Sequence, residues 1–382
     1  MSRIITRRDF LSRGGGALAA LAIPYGRAGT RPLTRTGEQR LLYVAEPGIR
    51  NYVEWGGIGV LVYDVDDGFR LVRRIPTMRF AEGVSPENVK GVCASVATGR
   101  LYVSTIRRML CIDLATDALL WSREYEGGCD RMSITPDGRT IFLPTLEGPH
   151  WSVVDALTGD AIERIVRNSG AHNTLCSLDG TQAYLAGLRS PMLGVVDART
   201  RAVAAEVGPF GSVIRPFTVN GAQTRCYVNV NDLLGFEIGD ISTGKVLGRV
   251  EVPGFKAGPV KRHGCPSHGI GLTPDERELW LCDGANSRVH VFDLTASAPR
   301  LTHSIAVRDQ PGWVTFTIDG RFAIPSTGEI IDVRTKRITT TLADERGAPV
   351  QSEKLLEIVF SDGRPVRAGD QFGVGRRAGG QR

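Results

Sequence analysis

Polar side chains recur along this chain just before short apolar runs, and their types are suited to binding and catalysis. They comprise two histidines, two carboxylates, three basic residues, an amide and an indole, namely Lys90, Asp130, Arg131, His172, Asn173, Arg215, His268, Trp313 and Glu357. Basic groups hold anionic or carbonyl-bearing ligands, indoles stack on flat ones, and imidazole with carboxylate transfers protons or coordinates metals. If these residues converge, they form a ligand site.

Each residue type implies a role. Lys90, Arg131 and Arg215 are candidates for holding an anion, with Asp130 and Asn173 beside them, and Trp313 is a candidate stacking wall. The candidates for acid-base chemistry or for a metal site are His172, His268 and Glu357. The alternative is a polar surface whose charges are paired for solubility. The stretch from His263 to His268 is also rich in ligand types, but its spacing matches no known metal motif.

A repeated pattern predicts the elements that must position these residues. Two or three mostly apolar residues precede an aspartate and a Thr/Gly-type turn in seven places, at Asp64, Asp113, Asp155, Asp197, Asp240, Asp293 and Asp332. Successive copies lie 39 to 53 residues apart, which is close to the length of a four-stranded propeller blade. Between them, pairs of apolar runs flank turns such as Thr135-Pro-Asp-Gly138, and no helical periodicity competes. We therefore predict an all-β fold, a single propeller of seven four-stranded antiparallel blades.

The repeats also carry a family resemblance. The Thr-Pro-Asp-Gly turns, the steps Tyr102-Val-Ser-Thr105 and Tyr227-Val-Asn-Val230, and the Val-Val-Asp-x-x-Thr-Gly strand ends resemble the YVTN-repeat propellers, which include surface-layer and cytochrome-d1-like proteins. The resemblance covers about residues 40–375. It implies the fold, but that superfamily hosts binding proteins, lactonases, lyases and electron-transfer subunits, so it selects no activity.

Both ends of this region should contribute to one blade. Residues 41–45 have the character of a second strand and residues 357–361 that of a first strand. Pairing them closes the ring and removes its open edge. We expect the flanks, 29–39 and 376–382, to be loose, and the long loops to gather on the face where the first strands begin.

The N-terminal residues predict an export signal. Thr6-Arg7-Arg8-Asp9-Phe10 precedes an uncharged stretch over 14–23 and a small-residue cleavage site near Ala28, a pattern that resembles a twin-arginine signal over residues 1–28. The apolar stretch is shorter than the roughly 20 residues that span a bilayer. We expect a periplasmic or extracellular protein with no membrane anchor after cleavage.

Charge and cysteine content narrow the partners and cofactors. The net charge of +6 falls to +2 without residues 1–28, so no basic field favours nucleic acid. No CxxCH motif occurs, which excludes covalently attached c-type haem. A bound metal ion is still a possible cofactor. Of seven cysteines, Cys129 and Cys265 lie in loop-like segments and are the candidates for reactivity or a disulfide.

Two functions agree with these patterns. In the first, the protein is a monomer that binds a small molecule or a protein partner at the loop-rich mouth of its central channel. In the second, the same mouth is the active site of a hydrolase or lyase of the lactonase type, in which histidine and glutamate act as acid and base or hold a metal.

Overall fold

The structure is a computed structural model, and it describes residues 37–77, 84–259 and 262–377. The predicted signal peptide, 1–28, lies outside the described residues. The described residues all belong to one compact unit. No helix within the described ranges is long and apolar enough to cross a membrane.

Seven antiparallel sheets form the ring, as the sequence predicts. The first three strands belong to the blade that closes it: β1 (Glu38–Glu46), β2 (Gly59–Asp64) and β3 (Arg70–Ile75). A single turn of 3-10 helix, Val53–Trp55, interrupts the loop between β1 and β2.

Six blades follow along the chain, each made of four consecutive strands with the innermost strand first. The first three are β4 (Val89–Ser95), β5 (Arg100–Thr105), β6 (Arg108–Asp113) and β7 (Leu119–Glu124); β8 (Ser133–Ile134), β9 (Thr140–Pro144), β10 (His150–Asp155) and β11 (Ala161–Val166); and β12 (Ala171–Cys176), β13 (Gln182–Gly187), β14 (Leu193–Asp197) and β15 (Val203–Val207). The next three are β16 (Ile214–Val219), β17 (Arg225–Val230), β18 (Gly235–Asp240) and β19 (Val246–Glu251); β20 (Ser267–Leu272), β21 (Glu278–Asp283), β22 (Arg288–Asp293) and β23 (Arg300–Ala306); and β24 (Val314–Phe316), β25 (Phe322–Pro325), β26 (Glu329–Asp332) and β27 (Arg337–Thr341).

The last two strands, β28 (Leu355–Ser361) and β29 (Arg364–Ala368), complete the first blade in the order β29-β28-β1-β2-β3. Tyr43 pairs with Leu356, so the predicted closure by both termini is confirmed. This blade has a fifth strand, β29, that the sequence analysis did not predict. Strand β1 also starts at Glu38, inside the segment expected to be loose.

The repeated aspartates shape the turns between the third and fourth strands. Oδ1 of Asp113 accepts hydrogen bonds from the backbone N–H groups of Ala115 and Thr116 and from the Thr116 hydroxyl. Asp197 and Asp332 bind Thr200 and Thr335 in the same way. An aspartate that caps its own turn explains why the repeat requires this residue.

The core consists of large side chains packed between neighbouring sheets. Trp151, Trp280 and Phe236 are almost fully buried there, with neighbours from the alternate, inward-facing positions of the strands. Burying such surface is the main stabilising contribution to folding, and it leaves the strand ends rigidly placed.

The segment 369–377 crosses the central channel after β29, a feature that the sequence analysis missed. The carbonyl oxygen of Gly373 accepts hydrogen bonds from Thr218 Oγ1 at 2.7 Å and from the Leu272 N–H at 2.8 Å. Gln371 Nε2 donates to the Met132 carbonyl oxygen at 3.1 Å. Because these partners lie in three different blades, the segment links their inner strands across the channel.

Candidate functional site

The starts of the innermost strands meet at one mouth of the channel. Six of the predicted residues lie at or just before those starts: Lys90 in β4, Arg131 before β8, His172 in β12, Arg215 in β16, His268 in β20 and Trp313 before β24. In the seventh blade the corresponding residues, just before β28, are Glu353 and Lys354. Strand β28 pairs with β1 from Leu355 onward, so Glu353 and Lys354 directly precede the first paired residue of the strand.

Asp130, just before β8, connects the inner strands of the two blades that flank its own, β4 and β12. Its Oδ2 lies 2.6 Å from His172 Nδ1, and its Oδ1 lies 3.3 Å from Lys90 Nζ. Burial opposes ionisation of Asp130, but His172 and Lys90 outweigh it and hold the carboxyl pKa below its usual value. Burial lowers the pKa of His172, and the Asp130 carboxylate, which accepts the Nδ1 proton, opposes that shift. The arrangement leaves Nε2 as the basic nitrogen.

Arg131 lies at the centre of the mouth and is 3% exposed. Its guanidinium stacks on the Trp313 ring, with Cζ 3.5 Å from the ring centroid, and Nη2 donates to Glu353 Oε2 at 2.8 Å. The Nη1 group is buried without a hydrogen-bond partner. Asn173, which forms a backbone bridge with Arg131, also has both side-chain polar atoms buried and unpartnered.

Glu353 connects Arg131 to Lys354. Lys354 Nζ lies 2.8 Å from Glu353 Oε2 and donates to the Gly48 carbonyl oxygen, also at 2.8 Å. Burial lowers the pKa of Lys354 to about 8. Burial opposes ionisation of Glu353 as well, but the charges of Lys354 and its other neighbours hold its pKa well below the usual range. Glu353 is therefore a buried, ionised carboxylate.

Two imidazoles face the other oxygen of Glu353. His263 Nδ1 lies 3.3 Å from Glu353 Oε1, and the rings of His263 and His268 stack with their centroids 4.6 Å apart. One donor atom from each of these three residues lies within 4.8 Å of the other two. Two imidazoles and a carboxylate are a donor set that suits first-row divalent metals.

The loop that carries His263 is held at several points. Arg215 Nε donates to Asn231 Oδ1 at 2.6 Å, and its Nη2 donates to the Gly264 carbonyl oxygen at 3.3 Å. Arg262 stacks on Trp55 at 4.0 Å and pairs with Asp309 at 2.6 Å. These contacts place the imidazole of His263 against the start of β20.

The structure brings most of the predicted residues together, with different neighbours from those expected. His172 lies against Asp130, and it does not form a ligand set with His268 and Glu357. Trp313 is 1% exposed, because Arg131 covers its face and its Nε1 donates to the Gln371 carbonyl oxygen. It therefore offers no open stacking wall.

Glu357 lies away from the mouth. Its Oε1 accepts from Arg40 Nε at 2.7 Å and its Oε2 accepts from the Ile318 N–H at 2.6 Å, beside the turn that holds Asp319. The expectation placed the start of the last inner strand at Glu357, but Leu355 and Leu356 already belong to β28. Glu353 lies at the mouth, where we expected Glu357.

Three residues of the mouth were not among the site residues predicted: His263, Glu353 and Lys354. A sequence pattern could have identified Glu353 and Lys354. Glu353-Lys354 is a charged pair directly before an apolar run, as Asp130-Arg131 is before Met132. His263 belongs to the ligand-rich stretch noted above, but only the folded loop shows that it stacks on His268.

The cysteines form no disulfide within the described residues, where all seven are buried thiols. Burial raises the pKa of Cys265 to about 12 and also raises that of Cys129. The reactive thiolate is therefore disfavoured at the two cysteines that the sequence indicated as candidates.

The fold and this mouth define a seven-bladed β-propeller with a charged, histidine-rich channel entrance. No family model and no curated protein matches the chain. Solved structures are similar to it in fold.

Three of these solved structures illustrate the likeness. A chain of Kuenenia stuttgartiensis hydrazine synthase has a TM-score of 0.56 and 14% identity, covering 76% of this chain and 90% of that one. A chain of the mitotic checkpoint complex has a TM-score of 0.59 and 12% identity, with coverages of 82% and 96%. The dihydro-heme d1 dehydrogenase NirN in complex with DHE has a TM-score of 0.59 and 15% identity, with coverages of 86% and 72%. At such identities the likeness concerns the fold alone.

Proposed function

We propose that this protein is an exported, monomeric propeller of the YVTN-repeat type that binds a small anionic molecule at the loop-rich mouth of its channel. The observation that carries the proposal is the buried guanidinium of Arg131, whose Nη1 lacks a partner beside the unpartnered amide of Asn173. Buried polar groups in folded proteins are nearly always hydrogen-bonded, so these groups call for a partner that enters the channel.

The charges around Arg131 support an anion. Three basic side chains, Lys90, Arg131 and Lys354, pair with two ionised carboxylates, Asp130 and Glu353. Burial raises the pKa of the nearby Glu46 well above its usual value, which favours its neutral form. The excess positive charge, in a site from which most water is excluded, favours a carboxylate or phosphate group.

A thermal-shift screen tests the proposal. The metal-free protein is heated with inorganic phosphate, acetate, succinate or citrate, and we expect at least one anion to raise the melting temperature in a concentration-dependent way. The matched variants are Lys90→Met at the mouth and Lys245→Met on an exposed turn. The proposal predicts that only Lys90→Met reduces the shift. Equal shifts in both variants would locate the anion elsewhere and contradict it.

A second candidate function is acid-base catalysis at the same mouth, as in a hydrolase or lyase of the lactonase type. The observation in its favour is the 2.6 Å contact between Asp130 and His172, because a carboxylate that fixes one imidazole nitrogen leaves the other free as a general base. A lactone panel assayed with wild-type protein and with His172→Gln tests it. Loss of a general base reduces turnover by about 10²- to 10⁴-fold. Turnover that the variant retains in full would exclude this role.

A further inference from the structure

His268 has the geometry of a metal ligand. Its Nδ1 lies 2.8 Å from the carbonyl oxygen of Gly312, and a carbonyl can only accept, so Nδ1 carries the proton. Nε2 therefore keeps its lone pair. A backbone carbonyl that fixes the far nitrogen of an imidazole is a common outer-shell contact of metal-binding histidines.

His263 supplies the second donor. Its side chain is 6% exposed, and Nε2 is buried without a hydrogen-bond partner. Gly312 packs directly against both groups, because a Cβ at that position would lie 2.2 Å from His263 Nε2 and 2.6 Å from Glu353 Oε1 and could not be accommodated without a shift. The glycine therefore lets the unpartnered nitrogen and the carboxylate oxygen both approach the same stretch of backbone.

Glu353 supplies the third donor. Arg131 and Lys354 both bind Oε2, each at 2.8 Å, which fixes the carboxylate and leaves Oε1 facing the imidazole of His263. Carboxylates that bind metals are themselves held by such hydrogen bonds. The two cations also add positive charge, which an anion in the mouth would offset.

We propose that His263, His268 and Glu353 bind a first-row divalent metal ion such as Zn²⁺ or Fe²⁺. Imidazole and carboxylate ligands favour these ions over Mg²⁺ or Ca²⁺, and three protein ligands leave coordination positions for water or for an exogenous group. The inference rests on the proposed function in one respect, that the anion bound at the same mouth fills one of those positions. The three ligands themselves require no anion.

Metal titration tests the site. The full mature protein is stripped with a chelator, dialysed into chloride buffer, and titrated with Zn²⁺ by calorimetry and with Co²⁺ by visible absorption. We expect one ion per chain. His263→Ala and Glu353→Gln should each weaken binding by more than the roughly 10- to 100-fold that loss of an outer-shell partner costs. His303→Ala, which removes an exposed imidazole from β23, is the matched control and should bind as the wild type does.

The outcomes separate this inference from the proposed function. Absence of stoichiometric binding, or equal affinities in His263→Ala and His303→Ala, overturns the metal site. If a variant fails to fold, the Co²⁺-loaded wild type decides, because its paramagnetically shifted imidazole N–H signals count the coordinated histidines. Two signals support the site, and none or one overturns it. Anion binding is measured on the metal-free protein, so either site can fail while the other is retained.

Discussion

Asp130 and His172 belong to neighbouring blades, and their side chains meet at 2.6 Å in the channel mouth. The contact couples two inner strands through one buried carboxylate, which also lies 3.3 Å from Lys90 Nζ. It links the stability of the ring to the charge of the candidate site.

Asp130→Asn should lower the free energy of unfolding at pH 7 by about 1 to 3 kcal/mol, because it removes a charged acceptor from a buried network. The pKa of Asp130 in the folded protein is lower than its usual value of 3.8, so the ionised carboxylate contributes stability above that pH. The contribution is lost as the pH falls through the folded-state pKa. Urea unfolding of both proteins between pH 3 and 8 should show a difference that is constant above about pH 5 and shrinks toward pH 3. A difference that grows on acidification would contradict this assignment.

Glu357 should prove structural. Glu357→Ala breaks a buried pair with Arg40 and should cost about 3 to 5 kcal/mol of unfolding free energy. Anion binding at pH 7, measured well below the lowered melting temperature, should be unchanged, because Glu357 lies away from the mouth. The exposed pair of Arg70 and Asp67 provides a control, since Asp67→Ala should cost about 1 kcal/mol or less. Loss of anion binding in a folded Glu357→Ala protein would show that our placement of this residue is wrong.

The segment that crosses the channel should stabilise the whole ring. Phe372 is 3% exposed and packs edge-on against Trp313. Phe372→Ala should cost about 3 to 5 kcal/mol, as for other buried phenylalanines. Val366→Ala in the exposed strand β29 should stay within about 0.5 kcal/mol. Urea unfolding of the two variants measures both values, and equal costs would contradict the role assigned to the segment.

The sequence of residues 1–28 predicts that the protein is exported. Replacing Arg7 and Arg8 by Lys should leave the precursor in the cytoplasm, because a twin-arginine signal is read through its paired guanidinium groups. Fractionation of cells that express either precursor measures the outcome. Normal export of the lysine variant would refute the signal assignment.

The seven-bladed ring could be predicted from the sequence because each copy of the repeat determines the structure of its own turn. Each aspartate, such as Asp113 or Asp197, caps its own turn, so seven copies predict seven blades without any knowledge of packing. The pairing of the two termini also follows from strand character, since a ring with an open edge is unfavourable.

The site was harder to predict because its contacts are long-range. Arg131 and Glu353 are separated by 222 residues, and no local pattern indicates that they pair. Strand β28 begins at Leu355, two residues before the expected start, and the residue at the mouth is Glu353, four residues before Glu357. The stretch 369–377 has no alternating strand pattern in the sequence. Its hydrogen-bond partners, such as Thr218 and Met132, come from distant parts of the chain.

Calorimetric titration of the anion selected by the thermal screen tests the central claim most directly. It is carried out at constant salt with the metal-free wild type, with Lys90→Met and with Lys245→Met. We predict one binding site per chain, an affinity about tenfold or more lower in Lys90→Met through the loss of a charge-assisted contact, and no change in Lys245→Met. Equal affinity in all three proteins, or no saturable binding by the wild type, would contradict an anion site at the channel mouth.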